Sequence, residues 1–255
     1  MSSEAVHILS EIVSERNFAS RVLDLAAQIA GAGCPMDALE LLYAAKAEMG
    51  VEQAVFVSYL RGGDAHESYR FMLAADPRWC LEYQASAWYA SDPWLLYCSI
   101  NSEVTFASRI PLHTPQQQKV QALARKFGMV SVCIAPAASP TGARVGMLAL
   151  GSPRPDYFET DAPGVFTVLA RSLALEFHDW WSRHERNQMI STLGLTETDL
   201  LLLHLELNGS GTKQIARELN LSAASINSRW QRLNAKLGSP HRNVSTHLAA
   251  KYGLI

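Results

Sequence analysis

The sequence predicts an α+β protein in two parts: an antiparallel sheet covered by helices, then an all-helical unit. Three observations point there. Two pairs of β-branched and aromatic runs, each split by turn-forming residues, read as hairpins. Apolar residues three and four apart recur before, between and after them, the spacing of helices that cover a sheet. From Leu195 onward only helical spacing remains, and the charge changes sign: residues 191–255 carry seven Lys and Arg against four Asp and Glu, a formal +3, while the preceding residues stand at −5.

At 255 residues, with 48% hydrophobic and 18% charged residues, the chain has the size of two ordinary domains and enough apolar material to fill their cores. The expected division is a first domain over 1–181, a linker over 182–192 centred on the charged "SRHERNQ", and a second domain over 193–255. No apolar run reaches the ~18 residues of a membrane span. The start "MSSEAVHILSEIV" lacks the basic region and apolar core of a secretion signal, so a cytoplasmic protein is expected, with no membrane partner. Cys34, Cys80, Cys98 and Cys133 form no C-x-x-C pair and read as buried reduced thiols rather than as zinc or redox ligands.

In the first part, "AVHILSEIVSERNFASRVLDLAAQIAGAG" places Ile8, Ile12, Phe18, Val22 and Leu25 at helical spacing and closes at Gly31 and Gly33, which predicts one or two amphipathic helices. A further helix is expected from Met36 to Ala47. Strands follow at 53–60 ("QAVFVSYL") and 67–74 ("ESYRFMLA"), joined through Gly62, Gly63 and Asp64. Shorter helical stretches fill 78–101. "TPQQQKVQALARKFG" (114–128) opens on a Thr cap with Pro at its first position and closes on Gly. The second hairpin pairs 129–137 with 143–151 across Ser139, Pro140, Thr141 and Gly142, and a long helix from Thr160 to Trp181 completes the layer.

The second part begins with "TETDLLLLHLEL", where Thr196 as N-cap and Asp199 three residues on form a variant of the capping box. Asn208 and Gly209 end that helix. "TKQIARELN" is a short helix with Ile215, Ala216 and Leu219 inward, and Ser222 caps "AASINSRWQRLNAKLG", which closes at Gly238. Two helices joined by a turn of about four residues describe a helix-turn-helix. Ile226, Leu233 and Leu237 recur on one side of its second helix. Asn227, Arg229, Arg232 and Lys236 lie elsewhere, a stripe suited to a DNA groove, since Arg forks onto guanine or phosphate and Asn pairs with adenine. A solvated helix face also carries such charges, and charge alone leaves both readings open.

The block from Leu195 to Leu237 resembles the C-terminal DNA-binding domain of LuxR-type transcription regulators, a four-helix helix-turn-helix. The residues that carry the likeness are Leu195, Thr196, Asp199, Leu203, Gly209, Ile215, Ala216, Leu219, Leu221, Ser222, Ile226, Lys236 and Leu237, without a gap. Thr198, Leu205, Ser210, Gly211 and Arg229 depart from the family's usual Arg, Trp, Lys-Thr and His. The resemblance implies DNA contacts at Asn227, Arg229, Arg232 and Lys236, a homodimer on an inverted-repeat operator, and RNA polymerase as a further partner.

In the first part, "RWCLEYQASAWYASDPWLLY" puts Trp79 and Tyr83 on one helical face, with Asp92 just before Pro93. A buried carboxylate needs a donor, which a ligand amide can supply. Two core aromatics and a helix-capping Asp account for the same residues. Trp, Tyr four on and Asp-Pro thirteen on is the spacing of the autoinducer-binding domain of quorum-sensing LuxR regulators, which the stretch resembles. That likeness implies an α-β-α sandwich enclosing an N-acyl-homoserine lactone or a related amphipathic signal and using no cofactor. In it Trp79 donates to the lactone carbonyl, Asp92 accepts from the amide and Tyr83 packs along the acyl chain, with Trp88 and Phe106 as further walls. Where the family has a Tyr, a second Trp and a Ser or Thr, this chain has Ala75, Ala107 and a site near Ala149, which implies a roomier, less polar pocket.

Two rival readings remain. An enzyme would draw on Cys80, Cys133, His113 or His178, but no G-x-S-x-G, P-loop, H-E-x-x-H or G-x-G-x-x-G accompanies them, and His178, His184 and Glu185 read as a helix end or dimer contact rather than a metal site. The closer rival is a ligand-independent or non-lactone-responsive LuxR-type regulator whose first domain mainly dimerises. For the homodimer of the signal-responsive reading, the apolar residues of 160–181, including Val168, Leu173 and Trp180, are expected to form part of the contact.

Overall fold

In the computed structural model, which describes residues 9–61, 69–138, 143–159 and 164–255, the chain divides into two compact units between Trp181 and Ser182. The first holds a five-stranded antiparallel sheet in the order β2-β1-β5-β4-β3, formed by β1 (Gln53–Leu60), β2 (Arg70–Ala74), β3 (Thr105–Phe106), β4 (Ser131–Ala138) and β5 (Arg144–Ser152). Both expected hairpins form. Their turns at 62–64 and 139–142, the first two residues of the 67–74 run and the start of the 160–181 helix fall outside the described residues. The two-residue β3 was not expected, being too short to show a period.

Each face of the sheet carries its own core. Residues 9–14 are helical. Helices α1 (Phe18–Ile29), α2 (Pro35–Glu48) and α6 (Gly164–Thr192) supply Phe18, Val22, Leu42, Phe166, Leu173 and Phe177 to one cluster, against Ala54, Phe56, Leu148 and Leu150 of the sheet. Helices α3 (Pro77–Ala85), α4 (Pro93–Ile100) and α5 (Pro115–Lys126) close the other face over Val55, Val57, Tyr59, Val145, Met147 and Ala149. This is an α-β-α sandwich. Because successive strand side chains point to opposite faces, β1 feeds one core with Phe56 and the other with Val55 and Val57. Its strands therefore read as continuous apolar runs rather than as alternation.

α6 continues through 182–192, where a linker was expected. "SRHERNQMIST" holds neither Gly nor Pro, so nothing in it breaks the helix. Gly194, at φ 57°, ends it by a turn in which Leu195 N–H donates to Ile190 O. Of the three residues assigned to a dimer contact, Val168 is 65% exposed, but Leu173 and Trp180 are buried in their own unit. Trp180 Nε1 donates to Ala32 O at 2.7 Å, which turns its ring inward.

The second unit is all helical: α7 (Glu197–Leu207), α8 (Thr212–Glu218), α9 (Ala223–Lys236) and α10 (Arg242–Lys251). Thr196 Oγ1 accepts from Asp199 N–H and Asp199 Oδ2 accepts from Thr196 N–H, so the capping box forms with Asp in the usual Glu position. Ser222 caps α9 through Ser225 N–H at 3.1 Å. Leu202, Leu203, Ile215, Ile226, Leu233 and Trp230 build the core; Trp230 is a further inward residue of α9. Among the described residues no helix is long and apolar enough to cross a membrane.

His178 lies at the first core with 1% exposure, and neither ring nitrogen has a hydrogen-bond partner. Gly146 of β5 makes room for it, since a Cβ there would meet His178 Nδ1 at 2.7 Å. Burial pushes its pKa down to about 4; Asp179 opposes that shift and Arg144 adds to it. The fold therefore refuses a proton that the unfolded chain accepts. This contribution is complete above the ordinary histidine value and is lost as pH falls toward 4, by on the order of 3 kcal/mol. Urea midpoints at pH 7 and pH 5 should drop more in the wild type than in His178→Leu; equal drops would remove His178 as the cause.

Candidate signal pocket and nucleic-acid interface

Asp76 accepts from Arg78 N–H at 2.9 Å and, with Pro77 behind it, starts α3. That helix presents Trp79 and Tyr83, four residues apart, to the second core, where their rings stack with centroids 4.9 Å apart. Ala87, at φ 50°, turns the chain sharply after α3 and leaves Trp88 half-buried against the same core. Asp92 then repeats the Asp-Pro start: its Oδ1 accepts from Trp94 N–H at 2.8 Å and Leu95 N–H at 3.3 Å.

The capping role does not exhaust Asp92. Its Oδ2 accepts from the Tyr83 hydroxyl at 2.7 Å, and the carboxylate is 2% exposed. Burial pushes its pKa above the usual carboxylate range, while the Tyr83 hydroxyl and the two amides pull the other way. Burial also raises the Tyr83 hydroxyl well above its ordinary value, which keeps it a donor. A carboxylate offers about four acceptor positions, and three are filled. Beside this pair, the buried Trp79 Nε1 has no acceptor, and neither has Trp94 Nε1. Leaving a buried donor unmet costs about 1–3 kcal/mol.

Further aromatics share this core. Tyr59 stacks on Tyr69 at 5.0 Å, Tyr69 meets Tyr89 at 4.7 Å, and the Tyr59 hydroxyl donates to Leu95 O at 3.1 Å. Sequence reasoning did not select these residues. Tyr59 sits two and four residues beyond Val57 and Val55, so the strand period places it on their face. Ala107 and Ala149 lie buried in the same core and Ala75 packs against it, so all three small residues face that core.

Phe106 does not. It pairs with Cys133 across β3 and β4, and both belong to the opposite core, where Phe106 stacks on Phe158 at 6.2 Å. Its strand neighbour Thr105 pairs with Ile134, which faces the second core. The expected aromatic wall is thus on the far side of the sheet from Trp79, and the neighbouring residue in the second core is Ala107. Trp79, Tyr83, Trp88 and Asp92 do come together.

In the second unit, α9 exposes Asn227 and Arg232, leaves Arg229 half-exposed and buries Ile226, Trp230 and Leu233. Lys236 is engaged inside the unit: its Nζ donates to Gly194 O at 2.6 Å and Asp199 Oδ2 at 2.8 Å. Burial alone would raise the Asp199 pKa, but the Lys236 and Thr196 hydrogen bonds outweigh it and hold the carboxyl below its ordinary value. One carboxylate thus caps α7 and anchors the end of α9. Among the described residues no three His, Cys, Asp or Glu gather as metal ligands.

The family described as autoinducer binding domain matches residues 36–179, and the family of bacterial regulatory proteins, luxR family, matches residues 193–249. A crystal structure of Escherichia coli SdiA is similar at 15% identity and a TM-score of 0.69, covering 92% of this chain and 98% of that one. SdiA in complex with octanoyl-rac-glycerol is similar at 14% identity and 0.68, covering 94% and 98%. CepR2 from Burkholderia cenocepacia, described as an N-acylhomoserine lactone dependent LuxR family transcription factor, gives 15% identity and 0.51, covering 65% and 96%. At these identities the structural likeness concerns the fold. A search of curated protein sequences finds no match.

Tyr83→Phe removes one of three donors to a buried carboxylate and should cost about 1.5–3 kcal/mol. The raised Asp92 pKa means the fold holds a proton that the unfolded chain releases, so its contribution falls as pH rises above the ordinary carboxylate value. In Tyr83→Phe, which loses a hydrogen bond that lowers this pKa, that fall should extend to higher pH. Urea unfolding across a pH series, compared with Asp92→Asn, reads both effects; superimposable profiles would show that the hydroxyl does not hold the carboxylate.

Proposed function

The chain belongs to the LuxR-type regulators that carry an autoinducer binding domain, and from that premise we propose that it is a transcription regulator switched by an amphipathic acyl signal. The unit over 1–181 takes up the signal, the helical stretch 182–192 connects, and 193–255 binds DNA. The observation that carries the reading is the acceptorless Trp79 indole beside the Tyr83-held carboxylate of Asp92. A ligand carbonyl satisfies the indole, and a ligand N–H or O–H takes the remaining acceptor position on Asp92. The aromatic and aliphatic residues around them suit an acyl chain.

Both an N-acyl-homoserine lactone and a monoacylglycerol present this pairing of carbonyl and donor, and the fold is shared with SdiA in complex with octanoyl-rac-glycerol. Ala75, Ala107 and Ala149 favour a long or bulky acyl group. Binding to the folded state alone adds RT ln(1 + [L]/Kd) to its stability, which couples the signal to the amount of folded protein. The activity is regulatory rather than enzymatic and belongs in the cytoplasm. Contacts with RNA polymerase at the operator determine whether transcription rises or falls.

A homodimer is part of the reading. Val165, Val168 and Leu175 are 40%, 65% and 42% exposed at three- and seven-residue spacing on α6, the seam that two copies of one helix bury together. A dimer sets two recognition helices about one turn of DNA apart, on an inverted repeat. One observation favours a second reading, regulation without a ligand: Asp92 already accepts three hydrogen bonds within the chain.

Melting purified protein with N-acyl-homoserine lactones and 1-monoacylglycerols of graded acyl length, from octanoyl upward, separates the two. A rise of several degrees with either, lost in Trp79→Phe, is expected; a flat response across acyl lengths would favour the ligand-independent regulator. Val168→Glu and Leu175→Glu should shift the protein to monomer in sedimentation without lowering its melting point, and an unchanged dimer would exclude the α6 seam.

A further inference from the structure

The four positions marked for DNA contact are not equivalent once folded. Lys236 is spent on Asp199 and Gly194. Arg229 is half-covered, and Asn234 accepts from Ser245 Oγ at 2.7 Å. The open face of α9 instead carries Asn227, Ser228, Gln231 and Arg232, all exposed. Two of these, Asn227 and Gln231, bear carboxamides one helical turn apart. They line the same groove of about 340 Å³, whose far wall is Pro240–Asn243 and whose lining includes no acidic residue.

A carboxamide combines a donor and an acceptor in one plane, the pattern that matches N7 and the 6-amino group of adenine in the major groove. Four residues of α-helix rise about 6 Å. That is close to two base-pair steps of about 3.4 Å each. Arg232, exposed on the same face, offers donors and no acceptor, which a backbone phosphate receives.

Resting on the reading of the second unit as a DNA-binding domain, we infer that Gln231 is a specificity-determining residue. With Asn227 it reads two adenines about two base pairs apart in each operator half-site. Base discrimination then lies with uncharged side chains, and the cationic residues of α9 supply affinity and orientation.

The test is selection of duplexes from a randomised library by the full-length protein with N-octanoyl-homoserine lactone present. The wild type should enrich half-sites with two A·T pairs about two steps apart. Asn227→Ala and Gln231→Ala should each lose about tenfold or more in discrimination at one of those pairs and keep the other. The salt dependence of binding should not change, because neither residue releases a phosphate counterion. Arg232→Ala should weaken all sequences alike and reduce the salt slope by about one. Gln231→Arg should move the preference at its own base pair from adenine to guanine, a gain that misfolding cannot mimic.

Unchanged sequence preference in both alanine variants, on protein that still retains DNA, would overturn the inference while leaving the DNA-binding reading intact. Failure of the wild type to retain any duplex would remove both.

Discussion

The sheet of the first unit is covered on both sides, and that condition governs everything built on it. With no solvent face, each strand position belongs to one core or the other, and a slip of one residue would exchange the two sets. The long pairing of β1 with β5, from Gln53 opposite Gly151 to Leu60 opposite Arg144, prevents such a slip. It holds Val55, Val57 and Tyr59 on the pocket side and Phe56 on the other. Even the two residues of β3 obey the partition: Phe106 joins one core, while Thr105 pairs with Ile134 of the other.

Against that apolar frame the buried polar groups stand out by how they are satisfied. Asp92 is tolerable at 2% exposure because α4 offers it two amides and α3 a hydroxyl. Capping and burial are one arrangement: the residue that starts α4 also ties it to α3. In the second unit Asp199 repeats the economy by closing a capping box and receiving Lys236. His178 and the Trp79 indole differ, being buried without partners. For His178 the core accommodates a neutral ring against Gly146; for Trp79 the missing acceptor gives the second core its functional interest.

Much of this was legible beforehand, for identifiable reasons. Helix starts at Thr114, Thr196 and Ser222 follow local chemistry within a few residues, which a linear reading captures. The hairpins declare themselves by composition, and Trp79, Tyr83 and Asp92 by spacing along one helix and the next cap. What escaped depends on distant partners. Tyr69 and Tyr89 join the pocket core only because β2 and the turn after α3 meet over Tyr59. Phe106 was misplaced because one residue of register cannot be judged from a two-residue strand. Lys236 looked like one more cation on α9 until the fold brought Asp199 to it. The stretch 182–192 shows that a charged run between two units can be helical when nothing in it disfavours helix.

The three alanines on the pocket side have a consequence for how such a protein changes over time. Ala75, Ala107 and Ala149 contribute room but no polar grip, and none of them takes part in the hydrogen bonds that Tyr83 and two amides make to Asp92. On the proposed reading, substitutions there reshape the interior while leaving those hydrogen bonds in place, so the acyl half of the signal can drift independently of the head group. Selectivity and responsiveness are thereby separable traits, and a lineage can exchange one chemical dialect for another through single steps that keep the receptor working.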